Sequence, residues 1–266
     1  MSKTHHVALA IVGIALVSSS FGCATDSTPG NTTTGPSTAG PTTPGTPTTD
    51  VAAALQRLAL KAIYFGHQSV GFNIMDGVQT LIAATPATVP RVQQTSTPGS
   101  MQQGVFAHGE NGSNGDPVGK TAAFRATIQG GVGAKVSLAF FKFCYVDFGQ
   151  STNVAAVFAD YQSTMAVLRS AFPGVRFVHF TVPLMTGSNS DNAVRERFSD
   201  LIRQTYGSGE PMFDLAKAES TRPDGSTESF NGVRALVAAY SSDGGHLNAT
   251  GAEAVAKALV AYLASF

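Results

Sequence analysis

The chain has 266 residues, with 17 Lys plus Arg offset by 17 Asp plus Glu and 43% hydrophobic residues. This is the composition of an ordinary globular protein with room for one sizeable core. Zero formal net charge leaves no basic excess to suggest a nucleic-acid partner and no acidic block to suggest a solvating tail.

Lys3 precedes an apolar run from Val7 to Val17, followed by Ser18, Ser19 and Ser20. The run is too short to span a bilayer and suits the core of a secretory signal. Gly22 and Cys23 resemble the bacterial lipobox, in which the Cys becomes the lipidated N-terminus; Ser20 stands where that motif usually carries Leu. Ser20 and Gly22 also satisfy an ordinary signal-peptidase site. Residues 1–23 are therefore read as a signal peptide with Cys23 as its lipidation site. The expected location is the cell envelope as a lipid-anchored protein, or free secretion. Residues 24–50, "ATDSTPGNTTTGPSTAGPTTPGTPTTD", contain 22 Thr, Pro, Gly or Ser in 27 positions. Such a segment cannot bury enough surface to offset its ordering entropy and reads as a disordered, fairly extended tether.

Residues 51–266 alternate between strand-like and helix-like runs. "VAAALQRLAL" predicts a helix and "KAIYFG" a short buried strand. "VGFNIMDGVQTLIAA" predicts a helix, with Phe72, Met75, Val78 and Ile82 near helical spacing. "VPRVQQTS" is a weak strand, "KTAAFRATI" a helix and "KVSLAFFKF" the clearest strand. Val154, Phe158, Tyr161, Met165, Leu168 and Phe172 form one helical face. "VRFVHFTV" is a strand, Val194, Phe198, Leu201 and Ile202 mark a helix, and "PMFDLA" is a last strand. The chain closes on a helix from about Thr250 to Phe266, with Thr250 and Glu253 at capping-box spacing. Five strand–helix alternations imply a mainly parallel sheet covered on both faces, a three-layer α/β/α sandwich.

In such folds ligands sit beyond the carboxyl ends of the strands. The loops there carry "GHQSVG", "HGENGSNGDP", "CYVDFG" and "PLMTGSNSDN", and "SSDGGHLN" precedes the last helix. Asp243 and His246, three apart in a Gly-containing turn, are the orienting half of a nucleophilic triad: the carboxylate fixes one ring nitrogen so that the other can accept a proton. Ser69, between a strand and a helix, supplies a nucleophile near a helix N-terminus, although "GHQSVG" has one residue more than G-x-S-x-G. A metal reading of Asp243 and His246 lacks an accompanying His-x-His or His-x-x-x-His pair. "GENGSNGDPVGK" lacks the spacing and frame of a phosphate loop. Cys144, in "AFFKFCYV", reads as a buried, inert thiol. His179 reads as a core residue, Asp147 and Asp214 as loop braces, and His108 and Glu110 as weak candidates for substrate contact.

These blocks resemble the SGNH (GDSL-type) hydrolases over roughly residues 60 to 266. "DGGHLNATG" matches that family's closing D-x-x-H motif, "FGHQSVG" the block of its nucleophilic Ser, and "NGSNGDP" the block whose Gly donates a backbone N–H to the oxyanion. The resemblance implies a five-stranded flavodoxin-like sheet and ester hydrolysis by Ser69, His246 and Asp243. Gly115 is then the matching oxyanion donor, with Gly112 as the alternative. His67 and Gln68 replace the usual Gly-Asp before the Ser. "KFCYVDFG" holds no counterpart of the third block's oxyanion Asn, and Asp147 matches only the last position of that block. Asn111, Asn114 and Asn73 are the candidate replacements, and His67 a candidate pocket residue. No metal or organic cofactor is implied. The expected partner is a small ester or an acylated glycan, with membrane contact through the lipid anchor only. Two other readings stay open: a carbohydrate-binding surface protein that has lost efficient catalysis, and a lipase or thioesterase.

Overall fold

The computed structural model describes residues 50–266. The expected signal segment, its Cys23 and the tether up to residue 49 lie outside the described residues. Asp50 closes the tether and caps the first helix, its Oδ1 accepting from the Ala53 N–H at 3.1 Å.

The elements follow in order: α1 (Val51–Leu58), β1 (Ala62–His67), α2 (Val70–Ala83), β2 (Arg91–Gln94), β3 (Val105–Glu110), α3 (Pro117–Thr127), β4 (Leu138–Phe141), α4 (Val154–Ala171), β5 (Arg176–Phe180), α5 (Asn192–Tyr206), β6 (Met212–Phe213), α6 (Leu215–Ser220), β7 (Ser229–Phe230), β8 (Val233–Arg234) and α7 (Ala249–Leu263). Strands β1 to β6 make one sheet in the order β2-β3-β1-β4-β5-β6, with every neighbouring pair parallel. β7 and β8 form a separate antiparallel hairpin.

The strand β1 is buried along its whole length. Such strands read as unbroken apolar runs because helices cover both faces of a parallel sheet. Alternate side chains serve different layers: Ile63 and Phe65 join the core under α1, α2 and α7, whereas Ala62 and Tyr64 join the core under α3, α4 and α5. The three-layer sandwich expected from the alternation is thus the one observed.

The sheet has six strands rather than five. The missing one is β3, whose "VFAHGE" offers only three apolar residues before His108, Gly109 and Glu110. It pairs with β1 from Ala62↔Val105 to His67↔Glu110, so the Gly-rich loop follows β3 directly and not β2. Two further differences are local. Helix α7 starts at Ala249 and is capped by Asn248, whose Oδ1 accepts from the Gly251 N–H at 3.0 Å; Thr250 and Glu253 do not form the box their spacing suggested. Helix α6 follows β6 at once, capped by Asp214, which accepts from the Lys217 N–H at 3.0 Å.

Strand β1 sends its chain to the β2–β3 side of the sheet, and β4 sends its chain to the β5–β6 side. The loops after β1 and β4 diverge, and a crevice opens between their carboxyl ends. Helices α2 and α7 pack side by side over this region. Gly77 permits the approach: a β carbon there would run into the Ala252 carbonyl and the Ala256 methyl. Ser69 sits at the start of α2 and His246 just before α7, so this packing sets their separation.

Overpacking of a tight contact costs about 1–3 kcal/mol. Gly77→Ala is therefore expected to lower the melting temperature by several degrees, at about 2–4 °C per kcal/mol for a domain of this size. Calorimetry of the two proteins checks it.

Candidate active site

Ser69 occupies the N-cap position of α2 but does not cap it with its side chain. Its backbone has φ 54° and ψ −116°, a conformation a side chain with a β carbon rarely adopts. Such strain, of order 1–3 kcal/mol, persists only where the surroundings enforce it. Here it turns the hydroxyl away from the helix and toward His246, whose Nε2 lies 2.7 Å from Oγ. An ordinary helix cap would show neither feature.

The acid–base half is built locally. Asp243 Oδ2 lies 2.7 Å from His246 Nδ1, and Oδ1 accepts from the backbone N–H groups of Gly245 and His246 at 2.9 and 2.8 Å. A carboxylate only accepts, so Nδ1 carries the proton and Nε2 is left to accept from the Ser69 hydroxyl. The Gly245 N–H, then the His246 side chain and N–H, hold the Asp243 carboxyl well below the usual carboxylate range. The turn is closed by Ser241, whose hydroxyl donates to the His246 carbonyl at 2.6 Å. The structure therefore brings together Ser69, His246 and Asp243 from positions up to 177 residues apart.

The expected oxyanion residues are placed otherwise. The Gly115 N–H donates to Asp147 Oδ1 at 2.7 Å and is no longer free for an oxyanion. Asn114 accepts through Oδ1 from Lys120 Nζ at 2.8 Å. Asn111 is buried, its amide donating to the Lys120 carbonyl at 3.0 Å. Asn73 accepts from the Leu247 N–H at 3.3 Å and lies along the α2–α7 groove. His67 does not line a pocket: it is fully buried, stacked on His108 with Nε2 and Nδ1 2.9 Å apart, and lies under Gly71. Gly112 remains as a backbone donor. It has φ 64° and lies against the Lys120 backbone, and its carbonyl accepts from Gln68 Nε2 at 2.9 Å.

A buried ion pair holds these loops together. Lys120 and Asp147 have no exposed side-chain surface and meet at 2.7 Å. Asp147 also accepts from the Cys144 N–H at 2.6 Å, as well as from Gly115. Every strong acceptor site on this carboxylate is thus used, which is the condition for a buried charge to be tolerated. Asp147 is a brace, as its place at a strand end suggested. Cys144 is buried, its thiol 3.5 Å from the Gln68 carbonyl. The neighbouring Lys142 is buried as well, and burial holds its ammonium below its ordinary range. His179 is a core residue, between the Tyr161 hydroxyl at 2.6 Å and Glu210 at 3.1 Å. Among the described residues no group of three or more His, Cys, Asp or Glu is placed to hold a metal ion.

Sequence reasoning passed over three residues that shape the site. Lys120 opens the run "KTAAFRATI" with no pattern that marks it for the interior. Gln68 was noted only as a departure from Gly-Asp. Tyr145, in the loop after β4, belongs to no motif and its sequence neighbours give no sign of its place. Its hydroxyl lies 3.5 Å from His246 Nδ1, and its ring packs edge-on to the imidazole at 5.7 Å.

No family model and no curated protein matches the chain. Among solved structures it is similar to a Streptococcus pneumoniae protein assigned as a platelet activating factor, at TM-score 0.51 and 13% identity, covering 80% of this chain and 91% of that one. It also aligns with the C-terminal catalytic domain of the Streptococcus pneumoniae peptidoglycan O-acetyltransferase A, at TM-score 0.43 and 12% identity over 77% and 93% of the two chains. An acetyl esterase variant bound to acetate aligns at TM-score 0.43 and 16% identity, over 73% and 91%. At these identities the likeness to the first is one of fold, and that fold is the α/β/α sandwich described above.

Glycine tolerates the Ser69 backbone conformation, so Ser69→Gly is expected to be about 1 kcal/mol more stable than Ser69→Ala in urea unfolding. Burial pushes His67 down to about 2 and His179 down to about 4, so both stay neutral in the fold. The unfolded chain takes up those protons below about pH 6.5. Stability is therefore fullest above that pH and falls as pH drops toward the folded values, by up to about 1.4 kcal/mol per pH unit for each histidine. His67→Phe is expected to reduce the slope between pH 6.5 and 5 by about one proton.

Proposed function

We propose that this domain is a serine esterase that hydrolyses carboxylic esters by acyl transfer. The observation that carries the reading is the unbroken hydrogen-bonded series from Ser69 Oγ through His246 to Asp243, at 2.7 Å on each side of the imidazole, built on a strained serine. In the first step Nε2 takes the Ser69 proton as Oγ bonds to the ester carbonyl carbon. The protonated imidazole then gives that proton to the departing alkoxide, leaving an acyl-enzyme. Water attacks the acyl carbon with Nε2 again as base, and the acid leaves as Ser69 regains its proton. Asp243 stabilises the imidazolium in both halves. The Ser69 N–H at the start of α2, with the Gly112 N–H, faces the oxyanion. These steps need only side chains, backbone and water.

The substrate reading rests on the openness of the site. The His246 and Asp243 side chains are 43% and 57% exposed, which leaves room for a bulky alcohol component. The groove beside them, about 640 Å³ between α2 and α7, is bordered by Asn73, Asp76, Thr80, Asn248, Glu253 and Lys257. The polar side chains of that lining can hydrogen-bond a hydrated ester such as an acylated glycan, and Pro223, Tyr240 and Leu247 add an apolar surface for its ring faces or for a short acyl group. An exported protein tethered through Cys23 would meet such esters in the cell envelope; this part of the reading rests on the N-terminal sequence alone.

The reading is tested with short-chain p-nitrophenyl esters. Wild-type protein is expected to turn them over and to be labelled at Ser69 by a fluorophosphonate. Ser69→Ala should lose at least about 10³-fold in rate, and Asp243→Asn about 10²–10⁴-fold. Activity that survives Ser69→Ala would falsify the triad. Glycan affinity without turnover in either protein would favour the binding-protein reading, and a steep rise in rate with acyl length the lipase.

A further inference from the structure

The esterase reading assigns only backbone donors to the oxyanion, and Val146 stands half-exposed in the loop where the resemblance expects an Asn. Its neighbour Tyr145 lies in the same loop, on the β4 side of the crevice at which Ser69 forms the β1 side. Resting on the esterase reading, we infer that the Tyr145 hydroxyl is the side-chain donor to the oxyanion, in the role a carboxamide fills elsewhere.

Three observations converge on this residue. The first is position. The hydroxyl lies 3.5 Å from His246 Nδ1 and has Ser69 as a polar neighbour, so it borders the space in which the attacked carbonyl must sit. The second is that His246 does not hold its proton. Nδ1 already donates to Asp243 at 2.7 Å and has no lone pair to offer, so the 3.5 Å approach is not a hydrogen bond that ties up the phenol. The third is that the ring is held in place before substrate arrives. Gly245 leaves the space it occupies, since a β carbon there would come within 2.7 Å of the ring. Buried Arg195 donates through Nε to the Tyr145 carbonyl at 2.8 Å and lays its guanidinium 5.8 Å from the ring centroid. A donor fixed in this way stabilises developing charge without reorganising at the moment of reaction. Burial and the nearby Asp243 carboxylate push the phenol above its ordinary range, so it stays protonated at neutral pH.

The test compares Tyr145→Phe and Tyr145→Leu with wild type and Ser69→Ala, on p-nitrophenyl acetate, with melting temperatures measured in parallel. The phenylalanine keeps the ring and its packing and removes only the hydroxyl. It is expected to melt like wild type, to lower kcat about 10- to 10³-fold with KM little changed, and to react more slowly with a fluorophosphonate. The leucine variant should lose kcat to a similar extent. A purely structural role predicts the opposite pattern: Phe active, Leu impaired. Wild-type kcat in Tyr145→Phe, or a rise in KM alone, overturns the inference while Ser69→Ala remains inactive. If Ser69→Ala keeps its activity, the failure belongs to the triad reading.

Discussion

The site exists because two helices approach almost backbone to backbone. Helix α2 begins at Ser69 and α7 begins just after His246, and the absence of a side chain at Gly77 lets the Ala252 and Ala256 side of α7 come close. The 2.7 Å contact between Ser69 and His246 is the far end of that packing. Side chains in a well-packed core do not deform continuously, so the helix pair fixes the separation more firmly than the loops themselves could. The strain at Ser69 is possible for the same reason: β1 behind it is buried throughout, and α2 ahead of it is anchored by a buried face that includes Val70, Gly71, Ile74 and Met75.

The second constraint is electrostatic. The Gly-rich loop after β3 and the loop after β4 are tied by one buried carboxylate, Asp147, which holds Lys120 and the N–H groups of Gly115 and Cys144. Removing one partner of such a pair would strand a charge in the interior, at a cost of about 3–5 kcal/mol. This brace also explains the loss of the expected oxyanion glycine. The Gly115 N–H is used to satisfy the ion pair, whereas Gly112, the alternative, is tied to the nucleophile's loop through its carbonyl and Gln68.

The sequence made the architecture and the triad legible for different reasons. Buried parallel strands such as "LAFF" are continuous apolar runs, and helices such as α4 carry a clear apolar face, so the layers could be read. Ser69, His246 and Asp243 stood in local patterns whose chemistry is specific. Strand β3 was not legible, because His108, Gly109 and the exposed Glu110, half of its residues, pair through the backbone and carry no apolar side chain. Nor was the fate of Gly115, Asn111 and Asn114: Gly115 bonds to Asp147, and the two Asn residues to Lys120, a charged residue that no periodicity marks for the interior. His67 misled for a related reason: it stands two residues from Ser69 along the chain, yet its ring is packed beneath α2 against Gly71.

The Asp243–His246 turn is self-contained, closed by hydrogen bonds among residues 241 to 246. Ser69, by contrast, owes its place to contacts that span most of the polypeptide. The two halves of the catalytic machine therefore differ in how they respond to disturbance. A slight loosening of the helix pair would leave the dyad intact as a unit and draw it away from its hydroxyl. Heat inactivation would then set in while the sandwich was still folded.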